Sequence, residues 1–382
     1  MYFRLNPECY LIMGKMHGAI FDLIETKLYA LNQQETEIIK SCEKNNPIRE
    51  EEEFLNDLKR LRLGNFYQNR IYMQKLRVGS AANENDIVDS TDPPELHRVF
   101  LEINNSCNRN CWYCGYYGVK RSLGCMGCNK WKNDDEPLSL EGWKKVIDEI
   151  CCLDCRELFI TGGDLTLAWD RTMDIIDYAR GKVNNINVIL HQENLSQNIK
   201  DDLADKANII VQTEDLYKVE QEDLTILLIK LGDEEFTSCL NRNNIIIDII
   251  IDTDKPLSSN LPVMTKKKIL PTDVYKFFNN VEYHPCLGHT LSICYNGDVI
   301  PCPMMRTHCF GNAKDEELHY VFKKSWERIS KFWRLNLDEI DKCTGCEFRY
   351  ACDDCRALEE SLTKKLDGKI LCSYDPEKGE WQ

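Results

Sequence analysis

Three cysteines stand within one short stretch, Cys107-Asn-Arg-Asn-Cys111-Trp-Tyr-Cys114. The spacing CxxxCxxC puts three thiolates on a single loop. Such a loop can hold three irons of a four-iron cube and leave the fourth iron without a protein ligand. An open coordination position is what separates a catalytic metal site from a closed structural one. The same three cysteines could also form part of a zinc site.

The run 98–103, Arg-Val-Phe-Leu-Glu-Ile, reads as a strand that delivers this loop. Beyond it, helical spacing and apolar runs alternate: helix 140–152, strand 157–161, helix 168–180, strand 186–190, helix 196–206 and strand 208–211. Further strands are expected at 224–229 and 245–251. This alternation predicts a parallel sheet or barrel of about six strand–helix units. In such folds the loops after strand C-termini carry the ligand sites. The second strand ends in Thr161-Gly162-Gly163-Asp164, where paired glycines let the backbone come close to a ligand.

Residues 1–80 read as a separate small α+β unit. Short apolar runs at 2–5, 9–13, 19–24 and 27–31 predict strands, and turn residues separate them. Asn32 then precedes a helical pattern through Ile38, Ile39 and Cys42, and a second helix is expected over 49–63. Residues 81–96 are polar, include Pro93 and Pro94, and read as a linker.

A second cysteine field fills the C-terminal quarter. Cys286 is followed by Gly297 and Cys302, and the run 291–300 reads as a hairpin turning at Asn296-Gly297. Then come Cys343-x2-Cys346-x5-Cys352-x2-Cys355 and finally Cys372. Zinc knuckles are one reading of such a field. The chain has twenty cysteines and no N-terminal signal peptide, since Met1-Tyr-Phe-Arg-Leu-Asn-Pro7 lacks an apolar core and cleavage site. Many cysteines in a chain expected to be cytoplasmic point to metal rather than disulfides. With 63 acidic and 48 basic side chains the net charge is −15, which argues against nonspecific nucleic-acid binding. The longest apolar stretches are too short for a membrane span.

The loop at 107–114, with Tyr113 before its last cysteine, resembles the cluster motif of the radical S-adenosylmethionine superfamily. Residues 286–372 resemble the SPASM domain, which holds two auxiliary [4Fe-4S] clusters. That pattern usually has three residues between its last two run cysteines; here there are two, Asp353 and Asp354. Residues 1–80 resemble the winged-helix recognition element of ribosomal-peptide maturases. The fold implied is a partial (β/α)6 barrel over 97–280. A winged-helix-like α+β domain precedes it, and a cysteine-rich SPASM domain over 281–382 follows.

The resemblance implies three [4Fe-4S] clusters and S-adenosylmethionine as cofactors. The catalytic cluster falls to Cys107, Cys111 and Cys114. Tyr113, Gly162, Gly163 and Asp164 fall near S-adenosylmethionine, Asp164 standing where the family has a glutamate. One auxiliary cluster falls to Cys343, Cys346, Cys352 and Cys372. The other falls to Cys286, Cys302 and Cys355, with Cys294 and Cys309 as candidates for a fourth ligand.

The implied activity is crosslinking of a ribosomally made precursor peptide, through a thioether or carbon–carbon bond, by way of a 5'-deoxyadenosyl radical. The implied partners are the precursor, its leader held by residues 1–80, and an electron donor such as flavodoxin or ferredoxin. No nucleic acid or membrane is expected. Two other readings are an activating enzyme that oxidises a Cys or Ser of a target protein, and an inactive peptide-binding homologue. Cys125 and Cys128, with Cys151, Cys152 and Cys155, either bind zinc or are buried thiols. Cys9, Cys42 and Cys239 read as core, and Lys266–Lys268 as a solvated loop.

Overall fold

The computed structural model describes residues 1–48, 53–78, 95–114, 119–121, 127–131, 135–220, 223–230, 244–252 and 269–381. Cys125, Cys239, Lys266–Lys268 and most of the expected linker lie outside them.

The N-terminal unit forms as predicted, with one strand more. Strands β1 (Tyr2–Leu5), β2 (Cys9–Met13), β3 (Gly18–Asp22) and β4 (Lys27–Leu31) are followed by helices α1 (Gln33–Glu43) and α2 (Glu53–Arg60). The unexpected strand is β5 (Gly64–Tyr67), antiparallel to β1. Strand β3 stops short of the expected 24 because the Asp22 carboxylate accepts the amides of Ile24 and Glu25, closing a turn. Helix α1 begins at a capping box: Asn32 accepts from the Glu35 amide while Glu35 reaches back to the Asn32 amide.

Among the described residues the central sheet has ten strands. Its parallel part contains β6 (Arg98–Glu102), β8 (Glu157–Thr161), β9 (Asn185–His191), β10 (Asn208–Thr213), β11 (Leu224–Lys230) and β12 (Ile245–Asp252). Strand β7 (Val119–Arg121) closes the β12 edge antiparallel. The runs Leu-Thr-Ile-Leu-Leu-Ile-Lys and Ile-Ile-Ile-Asp-Ile-Ile-Ile-Asp of β11 and β12 show the near-continuous apolar character of strands covered on both faces. Helices α3 (Leu140–Cys152), α4 (Trp169–Ala179) and α5 (Gln197–Leu203) cover the outer face of the first strands. Between β10 and β11 the described residues hold only a 3-10 turn, Leu216–Lys218.

Helix α3 shows why these segments coil. Ser139 caps its start by accepting the Gly142 amide at 3.0 Å. Trp143, Val146, Ile147 and Ile150 recur at 3- and 4-residue spacing and bury one stripe against the sheet.

Two features depart from a chain of separate units. First, strand β13 (Thr290–Ile293), from the second cysteine field, pairs parallel with β6, so the sheet runs on into the C-terminal part. Strands β14 (Asp298–Ile300) and β15 (Gly311–Asn312) extend it further. Leu96, at the end of the expected linker, is built into this barrel: it is buried, and its amide donates to Leu153 O at 2.7 Å.

Second, the N-terminal sheet is docked. Ile12, Ala19, Phe21 and Leu23 share one core with Phe277 of helix α6 (Val274–Glu282) and with Phe348, Tyr350, Ala351 and Tyr374. The tip of the β2–β3 hairpin sits on the loop between Cys343 and Cys346, with the Lys15 amide donating to Gly345 O at 2.8 Å. The remaining described helices are α7 (Leu318–Trp333) and α8 (Arg356–Thr363). No described helix is long and apolar enough to cross a membrane.

The shared core has a measurable consequence. The seven tryptophans all lie at 112 or beyond, so their fluorescence reports on the chain outside the N-terminal unit. Phe21 packs on the Phe277 ring at 5.5 Å. Phe21→Ala is expected to cost about 3–5 kcal/mol and to lower the urea midpoint read by tryptophan fluorescence. An unchanged midpoint would mean that the N-terminal unit unfolds by itself.

Candidate functional site

Side chains of the parallel strands alternate between the two faces, and register then fixes which ones meet. Phe100, Phe159, Ile189, Ile210, Ile226, Leu228 and Ile250 form the inner core. Two residues on from Phe100, Phe159 and Ile189, polar side chains end the same face. Glu102 pairs with Thr161, and Gln212 pairs with His191. All four are buried. This polar row at the strand C-termini faces the loop that β6 delivers.

On that loop Cys107, Cys111 and Cys114 are half-buried, Tyr113 is buried, and Cys111, Tyr113 and Cys114 pack on the inner core. Gln212 ties the loop to the strand ends. Its amide nitrogen lies 3.3 Å from the Tyr113 hydroxyl and 3.1 Å from Cys128 Sγ, and its oxygen accepts the Cys128 amide. Cys128 thus stands beside the loop, while Cys151 and Cys155 lie at the far end of α3. The Lys130 amide donates to Cys114 Sγ at 2.9 Å. Arg109 pairs with Glu193 at 2.6 Å, and its backbone amide donates to Cys107 Sγ at 3.4 Å. Burial, with the Arg109 charge beside it, pushes His191 down to about 4, so its ring is neutral near pH 7.

Gly162 and Gly163 make a contact that the sequence did not suggest. Gly162 sits at φ +142°, and a Cβ there would collide with Asn104 O. A Cβ at Gly163 would collide with Ser106 O. The glycines therefore let two backbones touch: the Gly163 amide donates to Asn104 O at 3.0 Å, and the Asp164 amide to Ser106 O at 2.7 Å. Asp164 is buried, and its Oδ1 accepts from both the amide and the hydroxyl of Thr166, capping the following turn. The row Thr161, His191 and Gln212, together with Glu193, was not singled out in the sequence. Its only signal there is a polar residue ending an apolar run, which many strands share.

The second field divides by register. The predicted hairpin is present, with Gly297 at φ +92° and its amide donating to Cys294 O. Ser292 pairs with Ile300, which carries Cys302 toward the Thr290 end of β13. Cys286 is at that end, its carbonyl accepting from the Thr290 hydroxyl at 2.9 Å. Burial pushes Cys355 up to about 12, with the Cys286 thiol adding to the effect.

Cys294 lies at the opposite, turn end, where its amide donates to Asp298 O. Its thiol receives Arg306 Nη1 at 3.0 Å, and the same guanidinium bonds Glu102 and lies 3.9 Å over the Trp131 ring. Cys309 Sγ donates to Gly311 O at 3.2 Å, and the pairing of Gly311 with Val299 sets Cys309 beyond that pair, on the Cys302 side of the hairpin. The length of β13 thus separates Cys294, one of the fourth-ligand candidates, from Cys286.

Cys343, Cys346, Cys352 and Cys372 come together. Burial pushes Cys343 up to about 12 and raises Cys346 and Cys352, and the Cys372 thiol adds to all three shifts. Among the described residues no three His, Cys, Asp or Glu side chains close on a single ion, as a tetrahedral zinc with sulfurs at about 2.3 Å requires. A four-iron cube spreads its thiolates, each on its own iron. Cys343 is buried and Cys346, Cys352 and Cys372 are half-buried, and four thiols gathered in this way suit such a cluster, whose irons take thiolate ligands.

Comparison with known proteins agrees with this layout. Residues 286–347 match the SPASM family, described as an iron-sulfur cluster-binding domain. Streptococcus suis SuiB bound to precursor peptide SuiA is similar in fold, at 12% identity, over 97% of this chain and 99% of that one, with a TM-score of 0.50. SuiB bound to S-adenosylmethionine gives 10% identity, the same shares and 0.49. Hexahistidine-tagged anSMEcpe with bound AdoMet gives 12% identity over 72% of this chain and 93% of that one, at 0.48. No curated protein sequence matches. The chain thus carries a SPASM match over 286–347 and shares its mixed α/β fold with SuiB.

The glycine contact can be tested directly. Gly163→Ala must push the Ser106 carbonyl away. It is expected to cost about 1–3 kcal/mol and to lower iron retention at Cys107, Cys111 and Cys114. Thermal melting and iron analysis of the reconstituted protein read both effects. Unchanged iron retention would show that the loop does not depend on this contact.

Proposed function

We propose that the chain is a radical S-adenosylmethionine maturase that installs a crosslink, a thioether or carbon–carbon bond, in a ribosomally made precursor peptide. The observation that carries this reading is the CxxxCxxC loop, hydrogen-bonded into Gly163 and Asp164 at the strand ends, in one chain with a SPASM domain. Cys107, Cys111 and Cys114 would hold the catalytic [4Fe-4S] cluster. Cys343, Cys346, Cys352 and Cys372 would hold one auxiliary cluster, and Cys286, Cys302 and Cys355 the other. When bound, the catalytic cluster and S-adenosylmethionine supply a 5'-deoxyadenosyl radical that takes a hydrogen atom from the peptide.

The chain's own contribution is placement and exclusion of water. Tyr113 and Gln212 hold the loop against the strand ends. Gly162, Gly163 and Asp164 present backbone groups beside it, and neutral His191 leaves the site without a further positive charge. Cys294 lies at the other end of β13 from Cys286; a cluster held by Cys286, Cys302 and Cys355 alone would leave an iron open to a substrate thiolate, which would favour the thioether.

The proposed division is 1–80 for recognition, 97–280 for the barrel and 281–382 for the auxiliary clusters. The leader would add as a strand to the β4 edge, which has no partner strand among the described residues. Beside that edge lies a cleft lined by Ile24, Lys27, Tyr29, Arg60, Leu61 and Arg62. Ile24 and Leu61 are strongly exposed there. SuiB, whose fold matches over nearly the whole chain, was solved with its precursor peptide. A flavodoxin or ferredoxin would supply electrons, in the cytoplasm.

Iron and product together test this reading. The anaerobically reconstituted chain is expected to bind about twelve irons, as three four-iron clusters. Changing Cys107, Cys111 and Cys114 to Ala should abolish dithionite-driven 5'-deoxyadenosine formation and leave about eight irons. Undiminished deoxyadenosine would place the catalytic cluster elsewhere. A wild-type limit near four irons would remove the auxiliary clusters from the reading.

A further inference from the structure

Between the two auxiliary cysteine sets lies a group of charged and polar side chains with almost no access to water. Asp354, Arg356, Lys369, Glu359 and His284 have side chains 0–2% exposed. Asp354 is at their centre. Its Oδ1 receives Lys369 Nζ at 2.5 Å and Arg356 Nη2 at 2.8 Å, and its Oδ2 receives Arg356 Nε and faces His284 Nε2 at 3.2 Å. Lys369 continues to Glu359 at 2.9 Å. Two carboxylates meet two cations, so the group is neutral as a whole, as full burial of charges requires.

Each arm ends on the backbone of a cysteine loop. His284 Nδ1 accepts the amides of Cys286 and Leu287, both at 3.0 Å. That acceptor role puts the ring proton on Nε2, pointing at Asp354. Glu359 accepts the amides of Ile370 at 2.8 Å and Leu371 at 3.3 Å, directly before Cys372. Arg356 donates to Leu366 O and Gly368 O in the segment that leads to that cysteine. Asp354 itself fills the shortened gap between Cys352, of one set, and Cys355, of the other. One carboxylate therefore touches the supports of the Cys286, Cys352, Cys355 and Cys372 loops at once. Outer partners of this kind orient metal ligands and tune the metal they hold.

We infer that Asp354 is the positioning residue that locks the two auxiliary cysteine sets to one another, so that neither cluster assembles in its proper environment without it. The inference rests on the proposed cluster assignment. It adds that the two-residue spacing between Cys352 and Cys355 is the seat of a shared support.

The test uses the full chain with Cys107, Cys111 and Cys114 changed to Ala, so that bound iron reports only the auxiliary sites. After anaerobic reconstitution this parent should bind about eight irons and, when reduced, show the electron paramagnetic resonance signals of two clusters. Adding Asp354→Asn keeps the shape and removes the charge. Iron should fall below about four per chain, and the signals of both clusters should be lost or changed together. Loss confined to one signal, or retention of both unchanged, would overturn the inference. Because a lone buried cation destabilises the fold, Asp354→Asn with Lys369→Met is the companion variant. It should fold by circular dichroism and still lose both signals; full loading would overturn the lock. A parent that binds no iron would defeat the cluster assignment itself, which separates that failure from failure of the lock.

Discussion

At the strand ends two backbones pass so close that a side chain would not fit between them. The amides of Gly163 and Asp164 donate to Asn104 O and Ser106 O, and the Asn104 side chain donates back to Asp164 O at 2.9 Å. The loop with Cys107, Cys111 and Cys114 starts at this contact. Its far side is held by Gln212 and by the amide of Lys130 on Cys114. A loop fixed at both ends loses little further entropy when its thiolates gather on a metal. The polar row Glu102, Thr161, His191 and Gln212 owes its position to the same register.

From this point the structure is continuous rather than modular. Glu102, at the end of the strand that delivers the loop, bonds Arg306 and Trp131, and so reaches directly into the second cysteine field. Strand β13 pairs with β6, and the Arg98 guanidinium donates to Cys286 O at 2.8 Å. The N-terminal sheet shares an aromatic core with α6 and the C-terminal segment. Because that core is common property, removing residues 1–80 would expose Phe277, Phe348 and Tyr350 as well as remove a recognition unit. Recognition and stability are separated more cleanly by changes at the exposed Ile24 and Leu61 than by truncation.

The buried ions around Asp354 are a constraint of another kind. Ion pairs taken fully out of water contribute little net stability, because desolvation offsets their attraction. What they contribute is directional: each donor must meet its acceptor, so the loops they hold have one arrangement. Asp354 and Lys369 both keep their charges despite burial, since each is held by the other and by Arg356 or Glu359.

Much is legible in the chain before it folds: the cysteine spacings, the strand–helix alternation, the capped start of α1, the Asn-Gly hairpin and the six parallel strands. These are local patterns, written in neighbours two to four residues apart and therefore readable without a partner. Which distant segments meet is settled only in three dimensions. Cys294 reads as a candidate fourth ligand beside Cys286, yet strand β13 stands between the two. Gly162 and Gly163 read as a turn that lets a backbone come close, and only the fold shows that the backbone leading into the cysteine loop is one that they admit. Asp353-Asp354 reads as a shortened gap, yet Asp354 gathers His284, Arg356 and Lys369 from three separate stretches. A side chain's role depends on what is packed against it, and for these residues the packing comes from parts of the chain far away in sequence.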